Sequence, residues 1–265
     1  MRVLVKLGGT LLDDAGLRAS LAAQLADLSR EHRFLVVHGG GKQVTKFLEE
    51  RGVASRFVGG LRVSDEAVVD AVSKVIAGGV NKQLVAALIA AGRPAVGLSG
   101  VDGLLTLAAP LDPALGFVGR PVRTDARLLD LLADAGYLPV LACLAADERG
   151  AIYNVNADQM AVSAAIGWRA QKLLFLTDVP GVKDGSGEIV RHLTVDESVA
   201  LIRSHVAQGG MQAKLEAAAQ ALEAGIDEIA IAPGREPAIC ARLLADEAAG
   251  TRLVLGSLAG KGSRL

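Results

Sequence analysis

Only two cysteines, Cys143 and Cys240, occur in 265 residues, and neither has a C-x-x-C spacing. That argues against a disulfide framework or a thiolate metal site. Both residues have apolar neighbours and read as buried thiols in a reducing compartment. The chain also lacks an excess of either charge, since 28 basic and 29 acidic side chains leave a net charge of −1. Nucleic acid or an anionic membrane would call for a basic surplus to neutralise phosphates, so neither partner is expected. No apolar run reaches membrane-spanning length, and the first residues enter a strand pattern without the basic and apolar regions of a secretory signal. A cytoplasmic protein is the expectation. Low-complexity linkers, internal repeats, a Walker A loop, a G-x-G-x-x-G fingerprint, H-R-D, D-F-G and any dense metal-ligand constellation are all missing.

What the chain does have is a 51% hydrophobic composition, enough for a large core, and two glycine clusters placed directly after short β-like runs. Val3 to Leu7 leads into Gly8-Gly9, and Phe34 to Val37 leads through His38 into Gly39-Gly40-Gly41. A strand that ends in glycines and hands over to a helix presents bare backbone N–H groups and a helix N-terminus, where an anion fits. Between the clusters, Leu17, Leu21, Leu25 and Leu28 recur at helical spacing and complete a βαβ unit. A second helix carries Val44, Phe47 and Leu48 and stops at Gly52. Ser64-Asp65 opens a long helical stretch to Ala91, broken at Gly78-Gly79. Hairpin strands are expected from Ser99 to Arg123, and Thr124 is expected to cap a helix from Asp125 to Ala135. Leu138 to Cys143 reads as a buried strand, Ala151 to Asn156 as the return limb of a hairpin, Ala157 to Gly167 as a helix, and Lys172 to Thr177 as a parallel strand. Helices and strands alternate from there to Leu255. The pattern predicts a three-layer α/β/α sandwich on a mostly parallel open sheet, with ligands beyond the carboxyl ends of the strands.

Chemistry concentrates at those ends. Lys6 closes an apolar strand before Gly8-Gly9, an expensive place for a lysine unless it meets an anion, snorkels or pairs with an acid. Asp158 lies in the first turn of its helix, and Lys214 follows the glycines of Gly209-Gly210. Two lysines and an aspartate at strand-to-helix junctions suit a transferring phosphoryl group, whose rate gain comes from positioning and charge stabilisation. With no evident general base, a carboxylate acceptor, already ionised at neutral pH, is favoured. His38 reads as a residue bonded to backbone rather than as a base.

Eight collinear motifs carry a resemblance. They are Val5-Lys6-Leu7-Gly8-Gly9, Val37-His38-Gly39-Gly40-Gly41, Gly60-Leu61-Arg62-Val63-Ser64, Asn81-Lys82, Gly136-Tyr137-Leu138-Pro139-Val140, Asn154-Val155-Asn156-Ala157-Asp158, Thr177-Asp178-Val179-Pro180-Gly181-Val182 and Gly210-Met211-Gln212-Ala213-Lys214. From Val3 to about Leu255 the chain resembles the N-acylglutamate branch of the amino acid kinase family. The resemblance implies ATP-dependent phosphorylation of the γ-carboxylate of N-acetyl-L-glutamate, the second step of arginine biosynthesis, with Mg2+ arriving on the nucleotide phosphates. It implies an acceptor and dimerisation lobe at 1–170 and a nucleotide lobe at 171–265. Lys6 and Lys214 would hold the phosphoryl group from either side and Asp158 would orient both. Gly8, Gly9, Gly40 and Gly41 would donate N–H groups to the phosphates and the acceptor carboxylate. Arg62 would clamp the substrate α-carboxylate, Asn154 would bind the amino acid, and Asp178, Gly181, Val182 and Lys183 would line the adenine and ribose pocket.

The chain departs from that pattern at Ala142 to Ala146, at Val101 where a lysine is common, and in its tail from Gly256 to Leu265. A succinyl or carrier-linked acceptor, a glutamate 5-kinase, an aspartokinase, a carbamate kinase and a non-catalytic nucleotide-binding regulator remain alternatives. Gly-Leu-Arg-Val and Asn-Val-Asn-Ala-Asp favour the N-acylglutamate branch, and the presence of Lys6, Asp158 and Lys214 gives no support to lost catalysis. Arginine-sensitive hexamers of the family carry an added N-terminal helix, whereas Met1-Arg2 here leads directly into a strand. A homodimer insensitive to arginine is therefore expected, with Asp65 to Ala91 as its two-fold contact.

Overall fold

Short apolar runs bounded by glycine become strands buried on both faces, and leucines at helical spacing become the helices that cover them. The computed structural model describes residues 1–256, so most of the tail singled out above lies outside the described residues. In chain order the first half contains β1 (Arg2–Leu7), α1 (Gly9–Leu12), α2 (Ala15–Leu28), β2 (Arg33–His38), α3 (Gly41–Glu49), β3 (Phe57–Val58), β4 (Leu61–Arg62), α4 (Glu66–Val72), α5 (Asn81–Ala90), β5 (Ala95–Ser99), β6 (Thr106–Pro110) and β7 (Val118–Thr124). The second contains α6 (Arg127–Asp134), β8 (Leu138–Ala142), β9 (Leu144–Ala146), β10 (Ile152–Val155), α7 (Ala157–Trp168), β11 (Lys172–Thr177), β12 (His192–Thr194), α8 (Val195–Arg203), α9 (Gly209–Glu223), β13 (Glu228–Pro233), α10 (Ile239–Leu244) and β14 (Thr251–Val254).

One eight-stranded sheet runs through the molecule in the order β12-β14-β13-β11-β1-β2-β8-β5, and every neighbouring pair is parallel except β13 with β14. This is the open, mostly parallel α/β sandwich that the pattern predicts. Strand period sorts the side chains onto two apolar cores. Val3, Val5 and Leu7 of β1 face the core covered by α2, α5 and α10, whereas Leu4 faces the core that holds α7 and α9. Lys6 is in phase with Leu4. The strand therefore delivers a lysine to the same side as α7 and α9.

Three details differ from expectation. Gly78-Gly79 does not break the long helix, because a π-helical segment, Ser73–Val80, carries the backbone from α4 into α5 without a stop. The resulting helix, Glu66–Ala90, is 25 residues long and, against expectation, long and apolar enough by length and composition to cross a bilayer. In this fold its inner residues Leu84 and Leu88 are fully buried on the sheet, while Ile89 stays 56% exposed. Thr124 does not cap a helix either. It ends β7, its hydroxyl hydrogen-bonds those of Thr106 and Ser163, and α6 starts at Arg127, whose N–H donates to the Asp125 carboxylate. The reason is closure: the hairpin strands β6, β7, β9 and β10 join into a small barrel, which holds Thr124 in its wall.

That barrel fixes α7 through a tight contact. A Cβ on Gly167 would collide with the Thr124 carbonyl oxygen and come within 2.9 Å of its Cβ. Gly167→Ala should gain about 1 kcal/mol of helix propensity and lose more to the backbone clash, for a net destabilisation of about 2 kcal/mol in urea unfolding. Equal or increased stability would show that β7 can move away freely.

Candidate active site

Because β1 and β2 are parallel neighbours, their glycine loops emerge side by side. The approach is close, since a Cβ on Gly9 would lie 3.2 Å from the Gly40 nitrogen. Gly40 and Gly8 sit in the capping positions of α3 and α1, where neither has a side chain to satisfy the first N–H groups. Among the described residues, the N–H groups of Gly9, Gly40 and Gly41 have no protein acceptor. Across the gap α9 also starts without a side-chain cap, after Gln208 and on Gly209 at φ 55°. Uncapped helix starts converge on one edge of the sheet, the arrangement that binds anions.

Three charged side chains meet at the centre. Asn156 accepts from the N–H groups of Asp158 and Gln159, so α7 begins there and Asp158 lies in its first turn. Lys214 Nζ donates to Asp158 Oδ2 at 2.6 Å. Lys6 Nζ lies 2.7 Å from Oδ1, so the carboxylate bridges the two ammonium groups. An ammonium group carries three N–H donors, so pairing with Asp158 leaves each lysine donors for a further acceptor. All three residues are buried, with 8–9% exposure. Burial works to raise the Asp158 pKa, yet Lys6 and Lys214 outweigh it and hold the carboxyl below its usual value. Burial also lowers the Lys214 pKa, with Asp158 opposing and Lys6 adding to the shift. Two ammonium groups and one carboxylate leave this buried cluster one positive charge in excess, which an anionic ligand would neutralise.

Two adjoining cavities lie at the start of α7, one of them lined by Asp158, and share Gly60, Leu61 and Asn156. The smaller, about 190 Å³, is bounded by Gly40, Gly41, Arg62 and Asn154. The larger, about 440 Å³, is bounded by Asp158, Gly209, Gly210 and the β3–β4 turn at Gly59-Gly60. Arg62 is fixed by donating to Ser55 Oγ at 2.5 Å, to Thr45 Oγ1 at 2.7 Å and to the Gly41 carbonyl at 2.8 Å, with Phe57 stacked 4.6 Å from its guanidinium carbon. Its Nε and one Nη1 hydrogen have no acceptor among the described residues. Asn154 donates to Ser64 Oγ at 3.1 Å, and its side-chain oxygen has no donor among the described residues. Cys143 forms the floor, its thiol pushed up to about 11 by burial and so uncharged at neutral pH.

The residues expected on the nucleotide side divide. Asp178 is exposed after β11 and accepts from Thr177 Oγ1 at 3.2 Å and from Thr10 Oγ1 at 3.4 Å, which ties it to the β1 loop. Lys183 is exposed on a short turn where Asp184 accepts from Ser186. Gly181 and Val182, by contrast, are buried against Thr251 of β14, whose Oγ1 accepts from the Val182 N–H at 2.8 Å. Gly181 has φ 150°, and a Cβ there would meet Thr251 Oγ1 at 2.8 Å. Val182 therefore supports the loop from behind and offers no side-chain surface to a ligand in this conformation. Sequence reasoning missed Thr251, Ser55, Thr45 and Ser64; small hydroxyl residues at these positions carry no spacing signal. A further cavity of about 420 Å³, on the outer side of α7 by Arg120 and Ser163, contains none of the expected residues.

A sheet edge with unpaired N–H groups, two buried lysines bridged by an aspartate, and two adjoining cavities beside them has the form of a phosphoryl-transfer site on an open α/β fold. The chain belongs to the amino acid kinase family, whose model matches residues 1–232. An acetylglutamate kinase of Solibacter usitatus is 54% identical over 255 residues, covering 96% of this chain and 99% of its own. One from Acidobacterium capsulatum is 42% identical, covering 93% of this chain and 97% of its own. Among solved structures, the N-acetylglutamate synthase from Neisseria gonorrhoeae complexed with coenzyme A and N-acetyl-glutamate matches with a TM-score of 0.86 at 25% identity over 97% of this chain. This chain spans 60% of that synthase chain.

His38 is fully buried, and burial, reinforced by Lys82 and partly opposed by its bond to Gly39, lowers its pKa from 6.5 to about 4. The unfolded chain takes up a proton near 6.5 that the folded chain refuses until about 4, so stability falls as pH drops through this window. Between pH 7 and 5 His38 alone should remove about 2 kcal/mol. Urea unfolding of wild type and His38→Asn at both pH values checks this. Equal pH losses in the two proteins would refute it.

Proposed function

We propose that this chain transfers the γ-phosphoryl group of ATP to the γ-carboxylate of N-acetyl-L-glutamate, the acyl-phosphate-forming second step of arginine biosynthesis. The observation that carries the reading is Asp158 held between Lys6 and Lys214 at the glycine-lined edge of the sheet. A carboxylate oxygen forms the new bond to phosphorus as the bond from phosphorus to the β,γ-bridging oxygen breaks, and ADP departs. No base is required, because the acceptor is ionised. Lys6 and Lys214 neutralise charge on the phosphoryl oxygens, while Asp158 fixes both ammonium groups so that little reorganisation accompanies the reaction. Gly9, Gly40 and Gly41 add backbone N–H groups, whereas the Gly8 N–H, expected to do the same, already donates to the Leu176 carbonyl at 2.9 Å and leaves Gly8 to shape the turn. Arg62 uses its free donors on the substrate α-carboxylate, and Asn154 uses its side-chain amide on the acylated amino group. In this reading residues 1–170 hold the acceptor, residues 171–265 hold the nucleotide through Asp178, Gly181 and Lys183, and Mg2+ arrives on the phosphates.

An ADP-release assay across N-acetylglutamate, N-succinylglutamate, glutamate, aspartate and carbamate tests the assignment; a preference for any acceptor but the first would move it. Lys6→Ala and Lys214→Ala should each lower kcat by a factor of 100 or more, about 3 kcal/mol of transition-state stabilisation, with the fold retained by circular dichroism. Near wild-type turnover in either would remove that lysine from the site. Arg62→Lys replaces a planar fork with a point charge and should raise the acceptor KM about tenfold while leaving the ATP KM unchanged. A rise confined to ATP would place Arg62 on the nucleotide side.

The protein in this reading is a cytoplasmic homodimer. The partly exposed apolar helix Glu66–Ala90, with Ile89 at 56% exposure, supplies the two-fold contact. Light scattering should give twice the chain mass, and Ile89→Glu should shift it to the monomer. A monomeric wild type would refute the assignment.

A further inference from the structure

His38 has no role in the chemistry just described, yet it is a fully buried polar side chain directly before the Gly39-Gly40-Gly41 loop. Both ring nitrogens are engaged. Nδ1 lies 3.0 Å from the Gly39 carbonyl oxygen and Nε2 lies 3.0 Å from Asn81 Nδ2. A carbonyl only accepts and a carboxamide nitrogen only donates, so the ring must be neutral, with its proton on Nδ1 and a lone pair on Nε2. Asn81 cannot flip to relax this requirement. Its Nδ2 also donates to the Val140 carbonyl at 3.0 Å, its Oδ1 accepts from Lys82 Nζ at 3.1 Å, and it fills the space that a Cβ on Gly97 would need. Asn81 stands at the junction of the π-helical segment with α5, so the helix that crosses beneath the sheet edge supplies the clamp.

The bond to Gly39 has a directional consequence. No peptide among the described residues is cis, so the Gly39 carbonyl and the Gly40 N–H of the same peptide unit point in opposite directions. Holding the oxygen on His38 turns the Gly40 N–H away from the ring, and Gly39, Gly40 and Gly41 all line the smaller cavity. Gly40 also sits with φ 175° and ψ 30°, and a Cβ there would meet Ile76 at 3.1 Å, so neighbouring packing limits but does not orient the unit. We propose that His38 is a positioning residue. Held by Asn81 as the neutral Nδ1–H tautomer, it pins the Gly39 carbonyl and so aims the Gly40 N–H at the transferring phosphoryl group or its acceptor. This rests on the reading of Gly40 as an anion donor.

Long-range 15N–1H spectra of the labelled wild-type protein read the tautomer directly. The expected result is an Nδ1–H ring that stays neutral from pH 8 to pH 5; an Nε2–H ring, or titration near 6.5, overturns the proposal. His38→Leu, which removes the donor, should lower kcat about 30-fold with both KM values within about threefold, since a misaimed donor costs the transition state most. In His38→Asn the side-chain amide can reach the Gly39 oxygen, and kcat should return to within about fivefold of wild type. A purely structural role would lower melting temperature in both variants without separating their kcat values, and that outcome also overturns the proposal. If the wild type turns over no acceptor, the functional reading alone fails. Calorimetric affinity for AMP-PNP, expected to fall about tenfold in His38→Leu and to recover in His38→Asn, then decides the role of His38, as the tautomer does if His38→Leu does not fold.

Discussion

Everything at the sheet edge depends on one electrostatic constraint: two lysines buried to 8–9% exposure share a single carboxylate. Removing an ammonium group from water costs several kcal/mol, and a lone aspartate repays that cost for one lysine, not for two. The fold tolerates the imbalance because the three residues sit on three rigid elements, β1, α7 and α9, each anchored in the apolar core. The structure thereby stores unsatisfied positive charge where a multiply charged anion can relieve it, next to glycine loops whose Gly9, Gly40 and Gly41 N–H groups have no acceptor among the described residues. Catalysis of phosphoryl transfer requires this kind of fixed, dry, positive environment and little else from the protein.

The remaining architecture serves to fix those three elements. The small barrel of β6, β7, β9 and β10 grips α7 through Gly167 and Thr124 and lines the smaller cavity through Val118 and Asn154. On the opposite face the long helix from Glu66 to Ala90 buttresses the glycine loop, with Ile76 against Gly40 and Asn81 against His38. Arg62, anchored by Ser55 and Thr45, joins the β3–β4 hairpin to α3.

The parts of this arrangement that were legible in the sequence are those governed by period and by backbone chemistry. Lys6 stood out as a lysine closing an apolar strand, glycine clusters marked the carboxyl edge, and the helix from Ala157 put Asp158 in its first turn. Contacts that depend on tertiary closure were not legible. Thr124 has the composition of a helix cap but is captured by Thr106 and Ser163 across the barrel. Gly78-Gly79 looks like a helix stop, yet the sheet beneath it supports a π-helical passage whose propensity cost is offset by buried Ile76, Val80 and Leu84. Val182 matches a pocket motif and is drawn inward by Thr251, nearly seventy residues away.

The π-helical segment has a consequence for how this chain can vary. An α-helix advances about 100° per residue, so the wider turn between Ser73 and Val80 resets the phase of all that follows. Loss or gain of one residue in this stretch would rotate Asn81, Leu84 and Leu88 away from the sheet together, severing the clamp on His38 and exposing the helix's inner face in one step. The hairpin at Asp184 to Gly187, exposed from Gly185 to Gly187 and held by local Asp184 bonds, can absorb such a change. Length variation should therefore be confined to the second region and purged from the first, however freely individual side chains on the outer face of the helix are exchanged.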